Sequence, residues 1–168
     1  MNNEVIFNTE DIIKINKDLI EKLKKIALEN DRKRARINLH KTLDDLLHEM
    51  IIVHTKGAYV RPHKHSKKSE SFHMIEGSLI FYLFNDNGKV IDKFTVGADK
   101  NSEYFSFRLS NNQWHSIVPV TDFVVFHEIT NGPFTGVNDS IFPDWAPKED
   151  QLDEIKEFLL LLEDNYDK

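Results

Sequence analysis

The chain has 168 residues and no cysteine, so it can bury one sizeable core without a staple. Disulfides, thiolate zinc sites, iron–sulfur clusters and cysteine nucleophiles are excluded together. A formal net charge of −6 and a sequence pI near 5.7 argue against an extended nucleic-acid footprint, which needs clustered positive charge to displace counterions.

The first residues, MNNEVIFNTEDII, carry acids and lack the basic and apolar regions of a signal peptide. No apolar run approaches the ~18 residues that span a bilayer, so a cytoplasmic protein with no membrane partner is expected. From residue 9 to 30, apolar groups recur at Ile12, Ile15, Leu19, Leu23, Ile26 and Ala27 with a 3.6-residue period, behind Asn8 or Thr9 as cap. This predicts an amphipathic helix within an N-terminal helical extension over 1–41, with the basic run Arg32 to Arg36 on a solvated helix end. Residues 42–48 are expected to add a helical turn. Met50 to Val53 and Ala58 to Val60 are β-prone and flank Lys56-Gly57 as a turn or bulge.

Short strands are then predicted at about 58–65, 70–76, 78–85, 89–96, 103–109, 113–119 and 123–130, with Asn85-Asp86-Asn87-Gly88 as a hairpin turn. Strands at this spacing without intervening helices indicate an antiparallel sandwich or jelly-roll barrel, here over 42–147. Phe72, Met74, Leu79, Phe81, Leu83, Phe105, Phe107, Ile117, Phe123 and Val125 are its expected core. A last helix, within 148–168, begins near Pro147 and carries Leu152, Ile155, Leu159 and Leu162 on one face.

Gly57, His63, His65, Glu70 and Gly77 stand in the spacing G-x5-H-x-H-x4-E-x6-G, and His115 follows downstream. The chance expectation for the full pattern is roughly one in ten thousand or below. Residues two apart on a strand share a face, so His63 and His65 can converge, with Tyr59 and Arg61 on the same wall. A polar turn at 66–69 lets Glu70 fold back beside them, and His115 closes the set from a distant strand. Three neutral imidazoles and one carboxylate suit a divalent Fe, Mn, Ni, Co or Zn ion, and an octahedral ion keeps two positions open. Such an ion can polarise a carbonyl, stabilise an enediolate, acidify water or, if redox-active, bind dioxygen.

These residues resemble the first motif of the cupin superfamily, with every named position filled. The second cupin motif keeps its His as His115 but lacks the usual Pro-x-Gly turn; Asn112 can adopt φ > 0 where the family has Gly. Arg36-Ile37-Asn38-Leu39-His40, Tyr59 to His65, Asn131-Gly132-Pro133-Phe134 and Trp145 to Glu149 further resemble the WbuC family of cupin-fold metalloproteins. That resemblance spans about residues 30–150 and implies a cupin double-stranded β-helix; with the two terminal helices read from periodicity, the chain is expected to be mainly β with a helix at each end. The resemblance also implies a metal and a context in bacterial O-antigen or surface-polysaccharide metabolism. Many cupins dimerise, so a homodimer is expected.

Tyr59 and Arg61 are the catalytic candidates: Tyr59 as proton donor or orienting group, Arg61 as a clamp on a substrate carboxylate or phosphate or else in a salt bridge to Glu76 or Glu103. His40 is a candidate for the pocket mouth. His127 and Glu128 face opposite sides, so only one enters the cavity. His48, His54 and His73 read as surface or ordinary core. Trp114 is expected to point away from the metal, and Trp145 to cover a loop or stack on a sugar. Three functions follow: a metal-dependent isomerase, epimerase or lyase of a small, carbohydrate-related or anionic molecule; an Fe(II) dioxygenase; or a non-catalytic binding cupin whose amphipathic terminal helices meet a partner.

Overall fold

A computed structural model describes residues 4–110 and 112–164. In chain order its elements are β1 (Val5–Phe7), α1 (Lys17–Glu29), β2 (Arg34–Asn38), β3 (Leu47–Thr55), β4 (Glu70–Glu76), β5 (Ser78–Phe84), β6 (Val90–Gly97), β7 (Ser106–Leu109), β8 (Trp114–Pro119), β9 (Phe123–Asn131) and α2 (Leu152–Asp164). The strands form a six-stranded sheet in the order β1-β2-β3-β9-β4-β7 and a three-stranded sheet in the order β6-β5-β8. Strands distant in sequence become neighbours, as in the β3-β9-β4 run, and the two sheets close as a cupin double-stranded β-helix. No described helix is long and apolar enough to cross a membrane.

Period-two alternation fills the space between the sheets with Met50, Ile52, Phe72, Met74, Leu79, Phe81, Ile117, Val124 and Phe126. The Phe72 and Phe107 rings stack at 4.8 Å. Three expected core residues lie elsewhere. Val125 and Phe123 have the outward parity of β9 and pack beneath α1, while Phe105 precedes β7 and is exposed.

Helix α1 starts eight residues later than the periodicity predicts. Asn16 caps it, its side chain accepting from Leu19 N at 2.9 Å. Asn8 instead makes its own turn, accepting from Glu10 N at 2.8 Å and donating to Leu39 O at 2.9 Å, so the chain leaves β1 extended. Ile20, Leu23 and Ala27 then pack on Ala35, Ile37, Ile51, Val53 and Val125, covering the outer face of the larger sheet. The stretch 1–41, expected as a helical extension, thus also supplies two strands. Arg34-Ala35-Arg36-Ile37-Asn38 alternates with period two, burying Ala35 and Ile37 under α1 and turning the arginines to the other face.

Helix α2 covers the smaller sheet, setting Phe158, Leu159 and Leu162 on Ile80, Tyr82, Phe84 and Val118. The Tyr82 hydroxyl donates to Leu162 O at 3.0 Å. It begins at Leu152 rather than Pro147 because Lys148 N is satisfied by Gln151 Oε1 in a loop, at 2.7 Å. Residues 165–168, also expected in this helix, lie outside the described residues. Strand β3 claims Leu47 and His48 from the predicted turn over 42–48. The predicted strand 58–65 is reduced to bridges of His63 with His115 and Lys64 with Ile141.

Leu23 has no exposed surface, whereas Ile12 is 78% exposed. Leu23→Ala is expected to cost about 2–5 kcal/mol in urea unfolding, and Ile12→Ala no more than about 0.5 kcal/mol.

Candidate metal centre

Two glycines and one asparagine let the chain bring the ligands together. Gly57 (φ 80) turns the chain out of β3. Gly77 (φ 72) makes the β4–β5 turn so tight that a Cβ would lie 2.1 Å from Phe123 O. Asn112 takes the left-handed conformation (φ 65), as the modified second motif requires, and its N–H donates to His65 O at 2.6 Å. His63 and His115 exchange both backbone bonds, 3.0 and 2.9 Å, which ties the first motif to β8. Glu70 is the first residue of β4 and is buried beside them.

The ligand atoms of His63, His65, Glu70 and His115 all lie within 4.8 Å of one another. His65 Nε2 is 3.1 Å from one Glu70 oxygen, and His115 Nε2 is 3.2 Å from the other. On an ion with bonds of about 2.1 Å, adjacent ligands stand about 3.0 Å apart and opposite ones about 4.2 Å, so the cluster has the right size.

The imidazole tautomers are set by their outer partners. His63 Nδ1 meets Arg61 O at 2.9 Å, His65 Nδ1 meets Asp139 O at 2.6 Å, and His115 Nδ1 meets Gln113 O at 2.9 Å. A carbonyl only accepts, so each Nδ1 carries a proton and each Nε2 faces the centre, able to give its lone pair to an ion once any proton shared with Glu70 is displaced. Asp139 is itself held by Lys68 Nζ at 2.7 Å and by Thr135 N at 3.1 Å. These donors can therefore hold one divalent ion.

Burial, reinforced by the neighbouring His115, pushes His63 down to about 3, so its ring is neutral. Burial also acts on His65 and Glu70, but their contact outweighs it. Glu70 raises His65, and hydrogen bonds from His115 and His65 hold the Glu70 carboxyl well below the usual range. An ion entering the site replaces the proton that this pair shares.

The cluster opens on a cavity of about 550 Å³ between the sheets. Arg61 lines it, donating to Pro143 O at 3.0 Å with its guanidinium over the Phe142 ring. Glu76, one of its suggested salt-bridge partners, pairs with Lys24 instead. Tyr59 stands apart from the cavity lining: its hydroxyl donates to Pro147 O at 2.8 Å and its ring meets Phe158 of α2. Burial pushes this phenol up, so it stays protonated.

His40 lines the cavity and stacks on His48 at 3.9 Å. His48 and His54 line it too, a placement that the alternation His48-Met50-Ile52-His54 along β3 already carries. His73 is exposed. Of the pair on β9, Glu128 enters the cavity, while His127 faces Glu49 on the outer side at 3.5 Å. Burial, then the charge of Glu70, pushes Glu128 up to about 8. Trp114 turns outward beneath Lys64, and Trp145 covers the β5–β6 turn, donating to Asp86 O at 3.1 Å.

Comparison with known proteins gives a profile match over residues 15–96 to a domain of unknown function, DUF6016. No curated protein matches the chain. Among solved structures, protein SO0799 from Shewanella oneidensis is 15% identical, with a TM-score of 0.57 over 77% of this chain and 85% of its own. The capsular polysaccharide assembling protein CapF from Staphylococcus aureus is 21% identical, with a TM-score of 0.56 over 68% of this chain. The chain spans only 32% of CapF. At these identities the likeness establishes the barrel fold.

Elemental analysis of protein purified without chelator is expected to find about one divalent ion per chain, lost in Glu70→Ala and His115→Ala and kept in His73→Ala. Lys68→Met, which removes the ion pair that helps hold Asp139, should weaken ion binding severalfold in competition with a chelator. In ion-free protein, folded Glu128 keeps a proton that the unfolded chain releases above about pH 4.3. Its contribution to stability therefore falls as pH rises from there through about 8. Glu128→Gln should flatten that fall in urea titrations at pH 5.5 and 8; an unchanged slope would show that Glu128 does not hold the proton.

Proposed function

We propose that this chain is a metal-dependent enzyme acting on a small, carbohydrate-related molecule in bacterial surface-polysaccharide metabolism, as an isomerase, epimerase or lyase. The observation that carries the reading is the convergence of three Nδ1-anchored imidazoles and Glu70 at the wall of a cavity large enough for a small molecule. The polysaccharide context is supported by the resemblance to the WbuC family and by the name of CapF, a capsular polysaccharide assembling protein.

The ion would be Fe(II), Mn(II), Co(II), Ni(II) or Zn(II), and when bound it supplies a Lewis acid at the cluster. Arg61 holds an anionic substituent of the substrate and the barrel walls exclude bulk water. Tyr59 spends its hydroxyl on Pro147, so we assign proton transfer to Glu128, whose carboxyl lines the cavity. The alternative of a non-catalytic module is less favoured, because α1 and α2 each set an apolar face on the chain's own sheets.

Turnover of a nucleotide-sugar panel is expected from the ion-loaded protein, together with loss of ion and turnover in Glu70→Ala. Full activity after chelation would contradict the proposal. Turnover should be unchanged without oxygen; oxygen consumption dependent on substrate and Fe(II) would favour the dioxygenase reading instead.

A further inference from the structure

An ion with two waters needs only about 60 Å³ of open space, at about 30 Å³ per water. The cavity is about 550 Å³ and runs from the metal cluster to β2, near the edge of the larger sheet. Strand register shows what this far wall offers. Glu70 of β4 pairs with Thr130 of β9, and Thr130 with His48 of β3. On the next rung of the same face, Phe72 pairs with Glu128, Glu128 with Met50, and Met50 with Asn38 of β2. Arg36 follows one rung further on β2. Three strand spacings separate β2 from β4, about 14 Å at about 4.8 Å each.

Arg34 pairs with Glu149, Lys68 with Asp139, and Arg61 with Pro143 O, but the exposed guanidinium of Arg36, which lines the cavity, has no side-chain hydrogen bond or ion pair among the described residues. Glu128 also lines the cavity, where the charges of Arg36, His65 and Lys68 act on it and its side chain makes no hydrogen bond to another described residue. Asn38 Oδ1 and Thr130 Oγ1 have no hydrogen-bond partner among the described residues, although both residues are more than nine-tenths buried. Unmade bonds of this kind are costly, and an apolar ligand would leave them so. A hydroxyl both donates and accepts, which suits this mixed set, and Arg36 is matched by an acidic group.

We infer that Arg36, Asn38, Glu128 and Thr130 form a subsite for the polyhydroxylated, acidic part of a ligand whose other end reaches the metal cluster. The inference rests on the metal reading for that other end, but not for the subsite itself. The acidic group is a carboxylate or a phosphate, both of which a guanidinium binds through paired hydrogen bonds.

The test is calorimetric titration of ion-loaded protein with D-glucuronate, D-glucose 6-phosphate and D-glucose. At least one acidic sugar should bind about tenfold or more tightly than glucose, and the tighter of the two identifies the acid. Arg36→Met should cut the preference at least severalfold, the remainder being what Arg61 supplies at the metal end. Thr130→Val should weaken the acidic sugar severalfold with ion stoichiometry and unliganded melting temperature unchanged, and Glu128→Gln should do so with ion stoichiometry unchanged. Equal binding of acidic and neutral sugars, no binding of any of the three, or wild-type affinity in these variants would overturn the inference. A protein that holds no ion yet binds the acidic sugar through Arg36 would refute the metal-enzyme reading and sustain the subsite.

Discussion

The Nδ1 hydrogen bonds of His63, His65 and His115 to the carbonyls of Arg61, Asp139 and Gln113 are the constraint on which the centre of this barrel depends. With Nδ1 committed outward, the three Nε2 atoms have only one another and Glu70 to face. Two carbonyls belong to the residue two before the histidine they hold, so they are set by the bridge between His63 and His115. The third is brought by the loop after β9, where Lys68 and Thr135 secure Asp139. Removing that loop's anchor would leave His65 free to rotate, even though no ligand had changed.

The rest of the fold keeps this polar cluster buried without filling its cavity. Each sheet has its outer face sealed by a helix, α1 on the larger and α2 on the smaller. Their inner faces are therefore free to divide the space. Phe72, Phe81, Phe107 and Phe126 pack together between the sheets, Phe81 stacking on His115 at 5.5 Å, and Phe72 and Phe126 share the cavity wall with polar residues. Burying Glu70 with three imidazoles would cost several kcal/mol if they stayed unpaired. The Glu70 contacts with His65 and His115 offset that in the ion-free form, and the same contacts hold the donors at the spacing an ion needs.

Local rules made much of this legible. Glu70, Gly77 and the strand 70–76 follow from spacing and alternation, and Asn112 does adopt the left-handed turn. What local rules missed depends on tertiary context. The sequence places Tyr59 on the wall with His63, but 58–65 is held by bridges rather than a full ladder, so strand parity does not extend back to it. β2 was obscured because a five-residue Arg-Ala-Arg-Ile-Asn run also fits a basic helix end; its pairing with β3 is non-local. The choice between His127 and Glu128 required knowing which face of β9 meets α1.

Anomalous diffraction from crystals grown with Mn(II), Co(II) or Zn(II), recorded at the absorption edge of the ion, tests the central claim most directly. The account predicts one peak bonded to Nε2 of His63, His65 and His115 and to the Glu70 carboxylate. A cluster without a peak at saturating ion, or an ion held through Nδ1 after rotation of these rings, would contradict it.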